Sequence, residues 1–570
     1  MRGEFTWPAG MQPYVKRVEE RLNSWRKSDL TLRVWAKDPT AWMGSKRKVT
    51  HAVELVNRLG WLNTPELMQA QVGELAAFAR EIRDEGFQHV VLLGMGGSSL
   101  APEVFMATFG PARGFPALVV LDSTEPTSVR RVAESVDWPR TLFLVSSKSG
   151  GTLETLTLFN FFYDAVRAAK PGAGRNFVAI TDPHSKLEAL AAARGFRRVF
   201  PGPVEVGGRY SALTVFGLVP AALIGVDVRG VLSRAAAMMH ACHYSVALAE
   251  NAAAPLAAAM GELALAGRDK LTFFASPTIA AFSHWVEQLI AESTGKQGKG
   301  IIPVVEPQPG PPADYGDDRL FVYLRYLGDD AAALDGAVAA LESARQPVLR
   351  FVLEDKADLG GEFYRWEMAT ALVGTILGVN PFDQPDVEAT KAKTQALMQA
   401  YRQTGRLPVE KPALVDSDVE VYGVATGRGA RDLPGCLAKF LRMAGRGDYI
   451  ALMAYLPRSP EVEVALEAIR AVLRRRTKRA VTLGYGPRFL HSTGQLHKGG
   501  PNCGLFVQIT HSPETDVPIP GEAYSFGTLI AAQAAGDYEA LRERGRRVMR
   551  LHLRRDAVSQ LQQLCAAFSP

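Results

Sequence analysis

Residues 89–109 read HVVLLGMGGSSLAPEVFMATF: a short apolar run, then a turn of glycine and serine, then a stretch with helical apolar spacing. The run His89–Leu93 is too short for a buried helix and suits a strand covered on both faces. The glycines after it let the chain turn sharply into a helix over Leu100–Phe109. Working outward, the same alternation recurs at Ala117–Asp122, Thr141–Ser146, Asn176–Thr181 and Arg198–Phe200. Parallel strands joined by crossover helices produce this pattern, because helices on both faces leave the strands continuously apolar. The sequence therefore predicts a doubly wound α/β module over 45–235, behind an N-terminal helical extension over 1–44.

After an Ala-rich helical stretch, Val231–Leu265, the alternation restarts at Leu271–Ala275, Ile301–Val305, Leu320–Tyr326 and Val348–Leu353. This predicts a second doubly wound module over 236–404, with the loop EPQPGPPADYGDD (306–318) exposed on account of its Pro and Asp content. A polar linker, RQTGRLPVEKP, leads into strands at Val419–Val424, Tyr449–Tyr455 and Leu505–Ile509. These predict a smaller C-terminal α/β domain over 405–570. The fold class is α/β throughout.

The length of 570 residues, with 47% hydrophobic and 22% charged residues, excludes small disulfide-knot and globally disordered classes. Four scattered cysteines without a C-x-x-C pair suggest neither a zinc ribbon nor a secreted disulfide framework, so a reducing cytoplasm is expected. No run of apolar residues is long enough to span a bilayer, and residues 1–10 lack the apolar core of an export signal, so no membrane association is expected. A net charge of +6, spread over surface helices without an RNA- or DNA-binding signature, predicts no nucleic-acid partner and leaves anionic metabolites open.

Five motifs carry candidate chemistry. GMGGSS (Gly94–Ser99) offers backbone N–H groups at a helix start, which favour an anion. A dinucleotide fold would want a small residue where Ser99 stands, although Asp122 imitates its ribose-binding acid. SSKSGGTLET (Ser146–Thr155) gathers Ser147, Lys148, Ser149 and Thr152 around a Gly-Gly turn, a cradle for one phosphomonoester. Nowhere is there a Walker A loop. On the helix Thr278–Ser293, His284, Gln288 and Glu292 recur every four residues, and Glu292 stands at its end beside STGKQGKG, where a general base can project into a cleft. GGRYS (Gly207–Ser211) presents Arg209, and NPFDQPDVEATK (Asn380–Lys391) runs from a turn into a helix ending in lysine. For each motif alone, a ligand-free turn, a helix cap or a solvated helix face is the competing reading.

In this order the motifs resemble the phosphoglucose isomerase family, built from two sugar-isomerase (SIS) modules, over roughly residues 45–400. The resemblance implies an aldose–ketose isomerase of carbohydrate metabolism, serving glycolysis and gluconeogenesis, that interconverts glucose 6-phosphate and fructose 6-phosphate through an enediolate without cofactor or metal. It places Gly97 and Ser98 at substrate-contacting positions and Ser147, Lys148, Ser149 and Thr152 on the phosphate. Arg209 takes the place of the arginine that stabilises the intermediate. A Q-x-x-x-E-S-x-G-K pattern, Gln288 through Lys296, makes Glu292 the base, and a Q-x-G-V-E-x-x-K pattern, departing at Asp386, gives Gln384 and Lys391. It further implies a homo-oligomer, such as a dimer, or association with a transaldolase activity. The layout also resembles the isomerase portion of transaldolase–phosphoglucose isomerase fusions, with no room for the transaldolase barrel itself.

One departure stands out. In the family a histidine lying between the glutamate and the lysine helps to open the sugar ring from a neighbouring subunit, whereas here no histidine occurs between His284 and His491. HSTGQLHKGGPN (His491–Asn502) partly matches that motif in a displaced position. His497 is the first candidate for ring opening and His491 the second, from the same or a neighbouring subunit. Rival functions are an isomerase that also takes mannose 6-phosphate, a non-catalytic sugar-phosphate sensor and, more distantly, a dinucleotide enzyme.

Overall fold

A computed structural model describes residues 7–42, 49–408, 410–423 and 431–569. Its first sheet contains β1 (His89–Gly94), β2 (Ala117–Leu121), β3 (Thr141–Ser146), β4 (Phe177–Thr181) and β5 (Arg198–Pro201), all parallel, in the order β2-β1-β3-β4-β5. The chain enters beside one edge and winds both ways, so the direction of winding reverses between β1 and β3. A crevice opens at such a reversal, over the carboxyl ends of the strands, and the loops after β1 and β3 line it. These loops are GMGGSS and SKSGGT.

The second sheet contains β6 (Lys270–Ala275), β7 (Ile302–Val305), β8 (Arg319–Tyr326) and β9 (Val348–Leu353), parallel in the order β7-β6-β8-β9. The third contains β10 (Leu414–Asp416), β11 (Val419–Gly423), β12 (Tyr449–Tyr455), β13 (Ala480–Tyr485), β14 (Gly504–His511) and β15 (Arg547–Leu553), in the order β10-β11-β15-β14-β12-β13. Its β13, β12, β14 and β15 are parallel, and β10 and β11 add an antiparallel edge.

Side-chain caps fix many helix starts. Glu125 accepts from the Thr127 and Ser128 amides, and Ser459 and Ser525 accept from Val462 and Thr528. Each satisfies amides that the first turn leaves unpaired, a contribution of about 1 kcal/mol apiece. The stretch Val231–Leu265, expected as one helix, is two, Val228–Ala241 and Ala254–Leu265. Asn251 starts the second by accepting from the Ala253 and Ala254 amides. Loop 306–318 is only partly exposed. Glu306, Asp314, Tyr315 and Asp318 are buried, and Glu306 pairs with Arg474 of the third unit at 2.7 Å. The 44/45 boundary and Val424 lie outside the described residues.

The third unit packs against both others. Its Tyr449, Ala451, Met453 and Phe506 share a core with Ala291, Ile302 and Val304 of the second. Toward the first, Arg458 and Arg488 converge on Glu103, and Arg488 also faces Asp122 at 3.3 Å. The helix Glu388–Thr404, expected to close the second module, packs instead on the helix Phe526–Glu543, and its Met398 enters the core of the first module. The third unit is thereby held against the loops that follow β1 and β3.

Candidate active site

Three chain segments meet at the GMGGSS turn. Gly96 has φ +55°, and a Cβ there would lie 2.6 Å from the His491 carbonyl oxygen and 2.9 Å from Gln288 Nε2. A Cβ on Gly97 would lie 2.1 Å from the Gly208 carbonyl oxygen. These glycines let the second and third units and the GGRYS loop close on the first. Ser98 is buried in the same turn. Ser99 Oγ donates to Asp122 Oδ2 at 2.9 Å, so the acid that would hold a ribose is committed to Ser99 and Arg488.

The phosphate-loop residues divide. Ser147 and Thr152 hydroxyls lie 2.8 Å apart at the start of the helix Leu153–Ala169, and Ser149 is exposed beside them. Lys148, by contrast, gives its ammonium to both carboxylate oxygens of Asp182, at 2.6 and 2.8 Å, and to the Pro203 carbonyl. Burial draws the lysine below its ordinary value and lifts Asp182 above its own, each opposed by the other's charge. The three hydroxyls and the helix start are what this loop presents to an anion.

Arg209 and Glu292 lie at the junction of the two modules. Arg209 is 3% exposed and donates to Glu292 Oε2 at 3.0 Å, Gln384 Oε1 at 2.9 Å, Ser293 Oγ at 2.8 Å and the carbonyls of Pro381 and Asp383. Five hydrogen bonds leave the guanidinium one orientation. Glu292, 8% exposed, rides near the end of the helix Ala281–Thr294. Its carboxyl is held above the usual range by burial, against the opposing charge of Arg209. Gln288, one turn earlier, is buried as well and donates to the His491 carbonyl at 2.8 Å. The polar face of this helix is therefore interior, and only His284 at its start is half-exposed.

His491 Nε2 lies 3.1 Å from Glu154 Oε1. Glu154 stands in the first turn after the phosphate loop, fully enclosed. Its carboxyl stays below its ordinary value, the penalty of burial being outweighed by His491 and hydrogen bonding. Of the two candidate histidines it is His491, expected second, that meets a carboxylate here. The short helix Gly494–Gly499 turns His497 into the third sheet, where its ring packs on Phe489 and Phe506. Burial, with Lys498 and Arg546 adding repulsion, keeps it well below its ordinary value, and its Nδ1 has no partner among the described residues. A histidine so buried is held neutral among core rings. Lys391 is also not gathered in: it is half-exposed on the helix Glu388–Thr404 and pairs with Glu388 at 2.8 Å.

Several groups at the site are ones to which the motif reading assigns no role. Lys296 holds the Asn380 carbonyl and Asp383 Oδ1, and burial with the nearby Arg209 lowers it to about 8. Gln495 donates to the Gly295 carbonyl and Asp386 Oδ2 and accepts from the Asp386 amide, tying the third unit to the loops that follow Glu292 and Gln384. Gln533 donates to Glu154 at 2.7 Å. Gln495 lies in the TGQLH fragment and Lys296 in the glutamate motif, so both had a signal. Gln533, on an Ala-rich helix, had none.

Two doubly wound modules closed over one buried carboxylate–guanidinium pair define a protein of the sugar-isomerase class. The phosphoglucose isomerase family model matches residues 78–310. The chain is 30% identical over 400 residues to a glucose-6-phosphate isomerase of Symbiobacterium thermophilum, spanning 60% of this chain and 86% of that one. It is 30% identical over 373 residues to that of Rubrobacter xylanophilus, spanning 56% and 84%. Among solved structures, a hypothetical protein from Thermus thermophilus superposes with a TM-score of 0.56 at 26% identity over 69% of this chain and 99% of that chain. A glucose-6-phosphate isomerase from Chlamydia trachomatis, at 20% identity, shares the fold with a TM-score of 0.51 over 67% and 79%. The chain belongs to the phosphoglucose isomerase family and is an isomerase.

Proposed function

We propose that the chain interconverts glucose 6-phosphate and fructose 6-phosphate by proton transfer between C1 and C2. The observation that carries this is the buried Glu292–Arg209 pair at 3.0 Å, with Arg209 oriented by four further hydrogen bonds. Glu292 takes the proton from C2 of the open-chain aldose and returns it to C1, and burial gives it the raised proton affinity suited to the task. The electron pair moves onto the carbonyl oxygen O1 as the enediolate forms, the fixed guanidinium stabilises that charge, and the O2 hydroxyl proton passes to O1 before C1 is reprotonated. For ring opening, His491 removes the anomeric O–H proton and protonates the ring oxygen as the C1–O5 bond breaks, with Glu154 Oε1 holding the ring by its Nε2 at 3.1 Å. No step calls on a metal or redox cofactor. A coupled assay for glucose 6-phosphate formed from fructose 6-phosphate tests the proposal, and absence of turnover by the folded protein would sink it.

The phosphate loop should act mainly on binding. Ser147→Ala with Thr152→Ala is expected to raise KM more than it lowers kcat, because the phosphate is remote from C1 and C2 and its contacts are common to ground and transition states. Steady-state kinetics on both sugar phosphates give the answer. An unchanged KM would place the phosphate elsewhere.

A further inference from the structure

The side chain of Gln533 is 1% exposed, in the middle of the helix Phe526–Glu543, and reaches from the third unit into the first module. Its Nε2 donates to Glu154 Oε1 at 2.7 Å, the same oxygen that faces His491 Nε2. Its Oε1 accepts from the Thr124 hydroxyl at 2.7 Å. A carboxylate can only accept, so the amide must turn its nitrogen to Glu154, and Thr124 holds the other end in that sense. A buried amide with both ends engaged is rigid, and it supports the carboxylate without adding charge.

We propose that Gln533 is a positioning residue for the reaction, fixing the Glu154 carboxylate so that His491 can exchange protons with the sugar ring. This rests on the isomerase reading above and adds to it a residue that touches no substrate. The mechanism is local. Glu154 is buried, and its Oε1 meets both Gln533 Nε2 and His491 Nε2; removing Gln533 takes away the shorter of these contacts and lets the carboxylate turn from the geometry that faces the imidazole. His491 then loses its fixed hydrogen-bond partner at Nε2. Other charges that bear on the pair are Lys391 on the helix Glu388–Thr404, Glu292 toward His491, and Tyr455 of β12. None of these replaces a hydrogen bond to Oε1.

The test uses Gln533→Leu and Gln533→Glu in the full chain, with thermal unfolding as a control for folding. Two substrates are compared. Fructose 6-phosphate is largely cyclic, whereas 5-deoxyfructose 6-phosphate has no hydroxyl to close a furanose ring and needs no ring opening. Gln533→Leu is expected to lower kcat/KM for the cyclic substrate roughly 10-fold or more, short of the ~10²–10⁴-fold cost of losing an acid–base group, and to spare the open-chain substrate. Gln533→Glu keeps the shape but sets a like charge against Glu154. It should lose activity at neutral pH and regain it as pH falls, because the protonated acid can again donate. Equal losses on both substrates, or a pH profile matching wild type in Gln533→Glu, would overturn the role. Wild type inactive on both substrates would instead refute the isomerase reading itself.

Discussion

Glu292→Gln should bind hexose 6-phosphates normally and turn them over more slowly by about 10²–10⁴-fold, and by more if no other group can accept the proton. The geometry makes this a clean substitution. Glu292 receives Arg209 through Oε2, and a glutamine amide oxygen can accept the same hydrogen bond. Arg209 keeps its bonds to Gln384, Ser293, Pro381 and Asp383, so the guanidinium does not swing away. What disappears is the capacity to take a proton from carbon. Exchange of the C2 hydrogen of glucose 6-phosphate with solvent, followed by NMR, reads that step separately from product release. The raised proton affinity of Glu292 also sets a sign for pH dependence. As pH falls through its raised value the base is protonated, so the acid limb of the kcat/KM profile should belong to Glu292 and lie above that of an ordinary glutamate. Exchange within a few fold of wild type in Glu292→Gln would eliminate it as the base.

Particular elements show what the sequence carried. The central parallel strands were legible because burial on both faces leaves runs such as Thr141–Ser146 and Tyr449–Tyr455 unbroken by charge. Both occupy the expected residues in the structure. The strands missed are of another kind: β10 has three residues, β13 contains an interior glycine, and β15 carries Arg550 and His552 toward a wetter face. The site divides in the same way. Local patterns offered Glu292, a carboxylate near a helix end, and more weakly Arg209 after its Gly-Gly pair, and the order of the motifs through the family resemblance joined the two. The burial of Gln288 was not local, since it depends on the third unit lying across the helix Ala281–Thr294. For the same reason Lys148 could not be separated from the other phosphate-loop residues, as its partner Asp182 lies 34 residues away. His497 was favoured over His491 by motif alignment alone. A shift of six residues along a turn and a short helix decides which ring reaches Glu154 and which enters the core.

The placement of His491 leads to the second large effect. His491→Ala should lower isomerisation of cyclic substrate by about 10²–10⁴-fold while sparing the obligately open-chain 5-deoxyfructose 6-phosphate, and His497→Ala should affect stability rather than the choice between substrates. Co-expression of two inactive variants then reveals where the histidine comes from. In this chain His491 meets Glu154 of the same chain at 3.1 Å, and its carbonyl is bound by Gln288, one turn from Glu292. Every group assigned to the reaction is brought together within a single chain, the third unit supplying His491. Co-expressed Glu292→Gln and His491→Ala chains should therefore show only the sum of their separate residual rates, whatever the oligomeric state. A site shared between subunits behaves differently. Random pairing in a dimer makes half the assemblies mixed, each with one intact Glu292–His491 combination, and restores about a quarter of the wild-type rate. Recovery of that size would show that the histidine acts across an interface. Its absence, with both variants folded and co-purifying, would establish that the domain appended after residue 404 has taken over that subunit's catalytic contribution.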